Sequence, residues 1–236
     1  MNARACIIVP AFNEEKQIAA VIESIRLHSR AGIIVIDDGS RDRTVEVVKE
    51  TGTLVIRHPF NIGYGVAVQT GYKYAFEKGY DFLLQMDADG QHLPQYIPDL
   101  FAMVESKKCD IAIGSRFLGS SYFPVGLLKL MGIRLFRIII KVTTGQTITD
   151  PTSGYRCMNR KVLEKFTEDS FPVDYPDANI MIFLHRMGFR IAELPVTMAP
   201  NPEGRYMHQG LLKISYYVFK MFLSILVILL RKKENQ

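Results

Sequence analysis

Five apolar runs of strand length punctuate the first half of the chain: Ala5–Val9, Ile33–Ile36, Leu54–Ile56, Phe82–Met86 and Ile111–Ile113. Between them, apolar residues recur at helical spacing. Ile18, Val21, Ile22 and Ile25 form one stripe, and Val66, Val68, Tyr72 and Phe76 another. Val45, Val47 and Val48, then Ile97, Leu100, Phe101 and Val104, repeat the pattern. Strand and helix in alternation predict an α/β fold, a doubly wound, mostly parallel sheet flanked by helices. With 236 residues, nearly half of them apolar, the chain has material for one large domain. No repeat or low-complexity linker divides it. The expected organisation is one domain over residues 1–206 and a C-terminal appendage over residues 207–236.

The second half is less regular. Leu127–Val142 reads as a basic helix, Ile180–Met187 as a helix, and Phe189–Leu194 as a strand ended by Pro195. Leu211–Leu230 is the longest apolar stretch, and Arg231-Lys232-Lys233 follows it. Within it Lys213, Tyr217, Lys220 and Ser224 share a helical stripe, the basic edge of an amphipathic helix. An interfacial membrane helix fits best. A homo-oligomer or membrane-protein contact and a spanning helix are the other readings, and two internal lysines oppose spanning. The net charge of +5 gathers after residue 126 and suits phosphate groups or an anionic membrane face rather than nucleic acid. Cys6, Cys109 and Cys157 lack metal or disulfide spacing and read as thiols in a reducing compartment. No signal-peptide pattern opens the chain, so the expected location is peripheral, on the cytoplasmic face of a membrane.

Chemistry-bearing residues follow the strand-like runs. Asp87 and Asp89 stand two residues apart after Phe82–Met86, so in extended chain they point the same way, where open α/β sheets place ligands. Paired hard oxygens suit Mg²⁺ or Mn²⁺ carried with substrate phosphates. Pro10-Ala11-Phe12-Asn13-Glu14-Glu15 follows the first run; Asn13 or Glu14 caps a helix there, or the segment holds a nucleobase. Asp37-Asp38-Gly39-Ser40 follows the second and reads as a turn, or as a carboxylate for base or ribose. Asn61-Ile62-Gly63-Tyr64-Gly65 follows the third, and its small residues let the backbone approach another segment or a ligand. His58, His92 and His208 read as structural.

Together these segments, with Asp42 and Thr44, resemble the family 2 glycosyltransferases of GT-A fold. Asp87–Pro94, Gly114-Ser115-Arg116-Phe117 and Asp150-Pro151-Thr152-Ser153-Gly154-Tyr155-Arg156 resemble the dolichyl- and polyprenyl-phosphate sugar synthases within it. The resemblance spans about residues 4–206. It implies that Pro10, Ala11, Glu14 and Asp38 hold the base and ribose of a GDP- or UDP-sugar. It implies that Asp87, Asp89 and Gln91 bind Mg²⁺ or Mn²⁺ and that Arg116 meets a phosphate. Asn201–Tyr206 stands where relatives carry Arg-x-x-Gly-x-Ser, a departure that puts its diphosphate contact in question. Lys129, Arg134 and Arg137 compete as the residue for the acceptor phosphate.

The implied activity is inverting transfer of a sugar to a polyprenyl phosphate. Such a phosphate is already ionised near neutral pH and requires no strong base. A sugar hydroxyl as acceptor is the alternative and requires one, with Asp150 ranked before Asp174 and Asp177. A degenerate nucleotide-sugar binder is the non-enzymatic alternative. A nucleotidyltransferase would need a glycine-rich, basic triphosphate loop that Pro10–Glu15 does not provide.

Overall fold

The computed structural model describes residues 4–119, 126–200 and 211–231. Elements alternate as β1 (Ala5–Ala11), α1 (Ile18–His28), β2 (Gly32–Asp37), α2 (Thr44–Glu50), β3 (Leu54–Arg57), α3 (Tyr64–Glu77), β4 (Phe82–Gln85), α4 (Ile97–Glu105) and β5 (Ile111–Ser115). There follow α5 (Leu127–Thr144), β6 (Arg156–Asn159), α6 (Arg160–Thr167), α7 (Ala178–Arg186), β7 (Ile191–Pro195) and α8 (Leu211–Leu230). The seven strands form one sheet in the order β3-β2-β1-β4-β6-β5-β7. Pairing is parallel except at β6, which runs antiparallel between β4 and β5, with Cys157 opposite both Leu84 and Ala112. The expected mostly parallel sheet is therefore present.

Alternation along β1 divides the core into two layers. Cys6 and Ile8 point to the side carrying α3, α5, α6, α7 and α8, and Ile7 and Val9 to the side carrying α1 and α4. All three cysteines are buried thiols. Two elements have no counterpart in the sequence reading. Arg156-Cys157-Met158-Asn159 is short and polar at both ends, yet lies buried because its neighbours in the sheet supply the apolar contacts. It leads directly into α6, whose first turn is capped by Asn159 accepting from the Val162 N–H.

The C-terminal helix α8 packs against α7. Its polar stripe faces inward: the Tyr217 hydroxyl donates to Asp177 at 2.8 Å, Lys220 Nζ to Asp174 at 2.8 Å, and Ser224 accepts from Asn179 at 2.8 Å. Met221, Ile225 and Ile228 join the core, while Phe219, Phe222, Leu226 and Leu230 stay exposed. The side chain of Lys213 lies outside the described residues. Helix α5 also shows solvent an apolar stripe, Met131, Leu135, Ile138 and Val142. The two helices meet where Phe136 packs edge-on against Tyr217, with ring centroids 6.0 Å apart. Among the described residues no helix is long and apolar enough to cross a membrane.

Candidate active site

The carboxyl ends of β1 and β2 are laced together. Asn13, in the left-handed region at φ 57°, donates its N–H to Ser40 Oγ at 2.9 Å and accepts from the Arg41 N–H through Oδ1 at 2.9 Å. The Glu14 N–H donates to Thr44 Oγ1 at 2.8 Å and the Glu15 N–H to Asp42 at 3.2 Å. Ser40, Asp42 and Thr44 thus shape the Pro10–Glu15 loop, and Asn13 caps no helix: α1 starts later, at Ile18, without a side-chain cap. Pro10 and Ala11 are buried in the last turns of β1 beside Ile36 and Asp37. Asp38 is only 3% exposed. Its carboxylate accepts from the N–H groups of Ile62 and Gly63 and pairs with His58 at 2.8 Å. It therefore holds the third loop shut rather than facing open space.

That third loop carries Tyr64 to the centre. Gly65 is needed there because a Cβ would lie 1.9 Å from the Val173 carbonyl oxygen. The Tyr64 hydroxyl donates to Asp87 Oδ1 at 2.9 Å and accepts from Gln85 Nε2 at 2.8 Å. Asp87 Oδ2 has no hydrogen-bond donor among the described residues, with His92 Nε2 at 3.8 Å. Asp89 Oδ1 accepts from the Gln91 N–H at 3.0 Å. Burial pushes the carboxyls of both aspartates up, and the Asp87 charge pushes Asp89 further. His92 is buried, stacks on Tyr155 and accepts from the Asp87 N–H through Nδ1. Desolvation pulls it down to about 4, so it is neutral near pH 7.

At the ends of β5 and β6 the second group of motifs converges. Arg116 grips Asp150 in a bidentate pair, Nε to Oδ2 at 2.6 Å and a terminal nitrogen to Oδ1 at 2.7 Å, and reaches Thr152 at 2.8 Å. Asp150 is fully buried, and its N–H is held by Glu193 at 2.8 Å. Arg137 on α5 donates Nε to the Thr149 carbonyl at 2.7 Å and lies 4.8 Å from the Phe117 ring. One of its terminal nitrogens is buried without a hydrogen-bond partner among the described residues. Arg134 is exposed, and the side chain of Lys129, like the Asn201–Tyr206 loop and His208, lies outside the described residues. Arg156 is buried beneath Asp87, donating to the Ser153 and Pro176 carbonyls at 2.6 and 2.7 Å. The sequence reading assigned no role to Gln85, Tyr64, Glu193 or Arg156, because only the fold brings them to the aspartates.

Known proteins resemble this chain in sequence and in fold. The family described as glycosyl transferase family 2 matches residues 6–167. The chain is similar to the UDP-N-acetylglucosamine–dolichyl-phosphate N-acetylglucosaminyltransferase of Methanococcus voltae, 30% identical over 80% of this chain and 83% of that protein. It is similar to the polyprenol monophosphomannose synthase of Mycolicibacterium smegmatis, 30% identical over 85% of this chain and 79% of that one. In fold it resembles the glucosyl-3-phosphoglycerate synthase of Mycobacterium tuberculosis, solved with Mn²⁺, uridine diphosphate and phosphoglyceric acid. The TM-score is 0.70 at 18% identity, covering 96% of this chain and 78% of that one. The laced loops of β1 and β2, the paired carboxylates after β4 and the extent of these matches lead to one assignment: the chain belongs to glycosyl transferase family 2.

Proposed function

We propose that this protein transfers a sugar, with inversion, from a GDP- or UDP-sugar to a polyprenyl phosphate at the cytoplasmic face of a membrane. The observation that carries the choice of acceptor is the pairing of Arg116 with Asp150. A sugar hydroxyl needs a general base. Asp150 is fully buried and both of its carboxylate oxygens are engaged by Arg116, so it is a poor base. A lipid phosphate, already ionised, needs none. The unpartnered guanidinium nitrogen of Arg137 suits that phosphate, which makes Arg137 the choice among the three competing basic residues.

Asp87, Asp89 and Gln91 would hold Mg²⁺ or Mn²⁺. The donor set fits: hard oxygens, one of them open, on carboxyls whose burial a dication would offset. When bound, such an ion stabilises the charge that develops on the leaving nucleoside diphosphate. The chain's own residues do the rest. Pro10, Ala11 and Glu14 border the donor pocket, Asp38 fixes its floor through Ile62 and Gly63, and Arg116 orients the acceptor side with Asp150. The exposed apolar stripes of α5 and α8 support peripheral docking on lipid, where the acceptor resides.

The test is a screen of radiolabelled nucleotide sugars with polyprenyl phosphate in detergent or vesicles. One label is expected to enter the organic phase. Label that stays aqueous with every donor, while passing to a soluble glycan, would overturn the acceptor assignment.

A further inference from the structure

We propose that Tyr64 and Gln85 are positioning residues for Asp87, fixing which of its carboxylate oxygens is presented to the metal and donor. The inference rests on the metal reading of Asp87 and adds two residues that touch neither ligand. The hydrogen-bond chain has one consistent direction. The Tyr72 hydroxyl donates to Gln85 Oε1, Gln85 Nε2 donates to the Tyr64 hydroxyl at 2.8 Å, and that hydroxyl donates to Asp87 Oδ1 at 2.9 Å. A phenol has a single proton. Because the amide of Gln85 already occupies an acceptor position on Tyr64, the phenolic proton is directed at the carboxylate.

A second feature limits the pair from the other side. A Cβ on Gly154 would lie 3.0 Å from the Tyr64 hydroxyl and 3.1 and 3.2 Å from the two Asp87 oxygens. The backbone at Gly154 therefore walls in the carboxylate against the phenol. Oδ1 is occupied by the phenol, and Oδ2 has no donor among the described residues. A purely structural polar pair in the core would be satisfied by Tyr72, Gln85 and Tyr64 alone. Here the chain instead terminates on the carboxylate that the sequence motif marks for metal.

The test titrates Mn²⁺ into the full-length protein with UDP, and in parallel with GDP, following free Mn²⁺ by its electron paramagnetic resonance signal. Partners of a metal ligand are typically worth about 10–100-fold in metal affinity. Tyr64→Phe removes only the hydroxyl, and Gln85→Met keeps length while removing the amide, so one serves if the other fails to fold. Each folded variant is expected to bind Mn²⁺ about 10–100-fold more weakly than wild type. Wild-type affinity in either variant with native circular dichroism overturns the positioning role. Failure of the wild type to retain Mn²⁺ with either nucleotide overturns the metal reading itself, and the two results are distinct.

Discussion

Asp87 and Asp89 lose hydration where β4 ends, and the consequences for pH and stability have a definite sign. A carboxyl whose folded pKa is raised costs stability above its unfolded value of about 3.9, and that cost disappears as pH falls. Asp89→Asn is therefore expected to raise the metal-free Tm near neutral pH while abolishing sugar transfer. Calorimetry and the radiolabel assay check both halves, and full transfer by the variant would remove Asp89 from the metal site. By the same sign, the Tm increment given by Mn²⁺ should shrink as pH falls into the range where these raised carboxyls take up protons, a range above that of ordinary carboxyls. Substitution of Asp150 is expected to move Tm the other way, through loss of an ion pair. Breaking a buried pair costs about 3–5 kcal/mol, so Asp150→Asn should lower Tm by roughly 6–20 °C in a chain of this size. An unmoved Tm would show that the Arg116 clamp contributes nothing to the fold.

Helices α5 and α8 are where local pattern and tertiary placement part company. The residue spacing in α8 correctly marks a helix with a polar stripe, but spacing cannot say which stripe faces the protein. Asp174, Asp177 and Asn179 decide it by supplying partners for Lys220, Tyr217 and Ser224. The apolar residues left outside are then the proposed docking surface. Burying a large apolar side chain is worth about 1.5–3 kcal/mol, so Phe219→Glu should cut vesicle partitioning about tenfold or more with little change in Tm. Met221→Glu, on the buried face, should instead unfold the protein. Co-sedimentation with anionic vesicles separates the two, and unchanged partitioning by Phe219→Glu would move the docking surface off α8. On α5, Arg137→Gln should raise the KM for polyprenyl phosphate at least about tenfold, the scale of one charge-assisted hydrogen bond. Arg134→Gln should do much less, and donor binding should hold in both. Equal effects of the two variants would return the choice among the basic residues to open competition.

Over the whole molecule, the proposed donor half could be read as one cluster because its motifs sit at the carboxyl ends of parallel strands that are neighbours in the sheet. Ala5–Ala11, Gly32–Asp37 and Phe82–Gln85 are neighbours in the sheet and also carry the first, second and fourth site segments. The proposed acceptor half could be read only as motifs. Arg116 and Asp150 are 34 residues apart and meet through β5 and the turn before β6, a juxtaposition without local periodicity. Tyr64 and Gln85 were invisible as a pair for the same reason: one opens α3 and the other closes β4. The antiparallel insertion of β6 also bears on how the protein is made. β4 has β1 on one side, but its other edge stays bare until Arg156–Asn159 emerges, roughly seventy residues later. At ribosomal speeds of about 5–20 residues per second, that edge waits about 4–14 s. The apolar helix α5 is synthesised within the same interval. A nascent chain with an unpaired strand and an uncovered apolar helix is exposed to aggregation, so the apolar stripe of α5 is displayed before the sheet is complete.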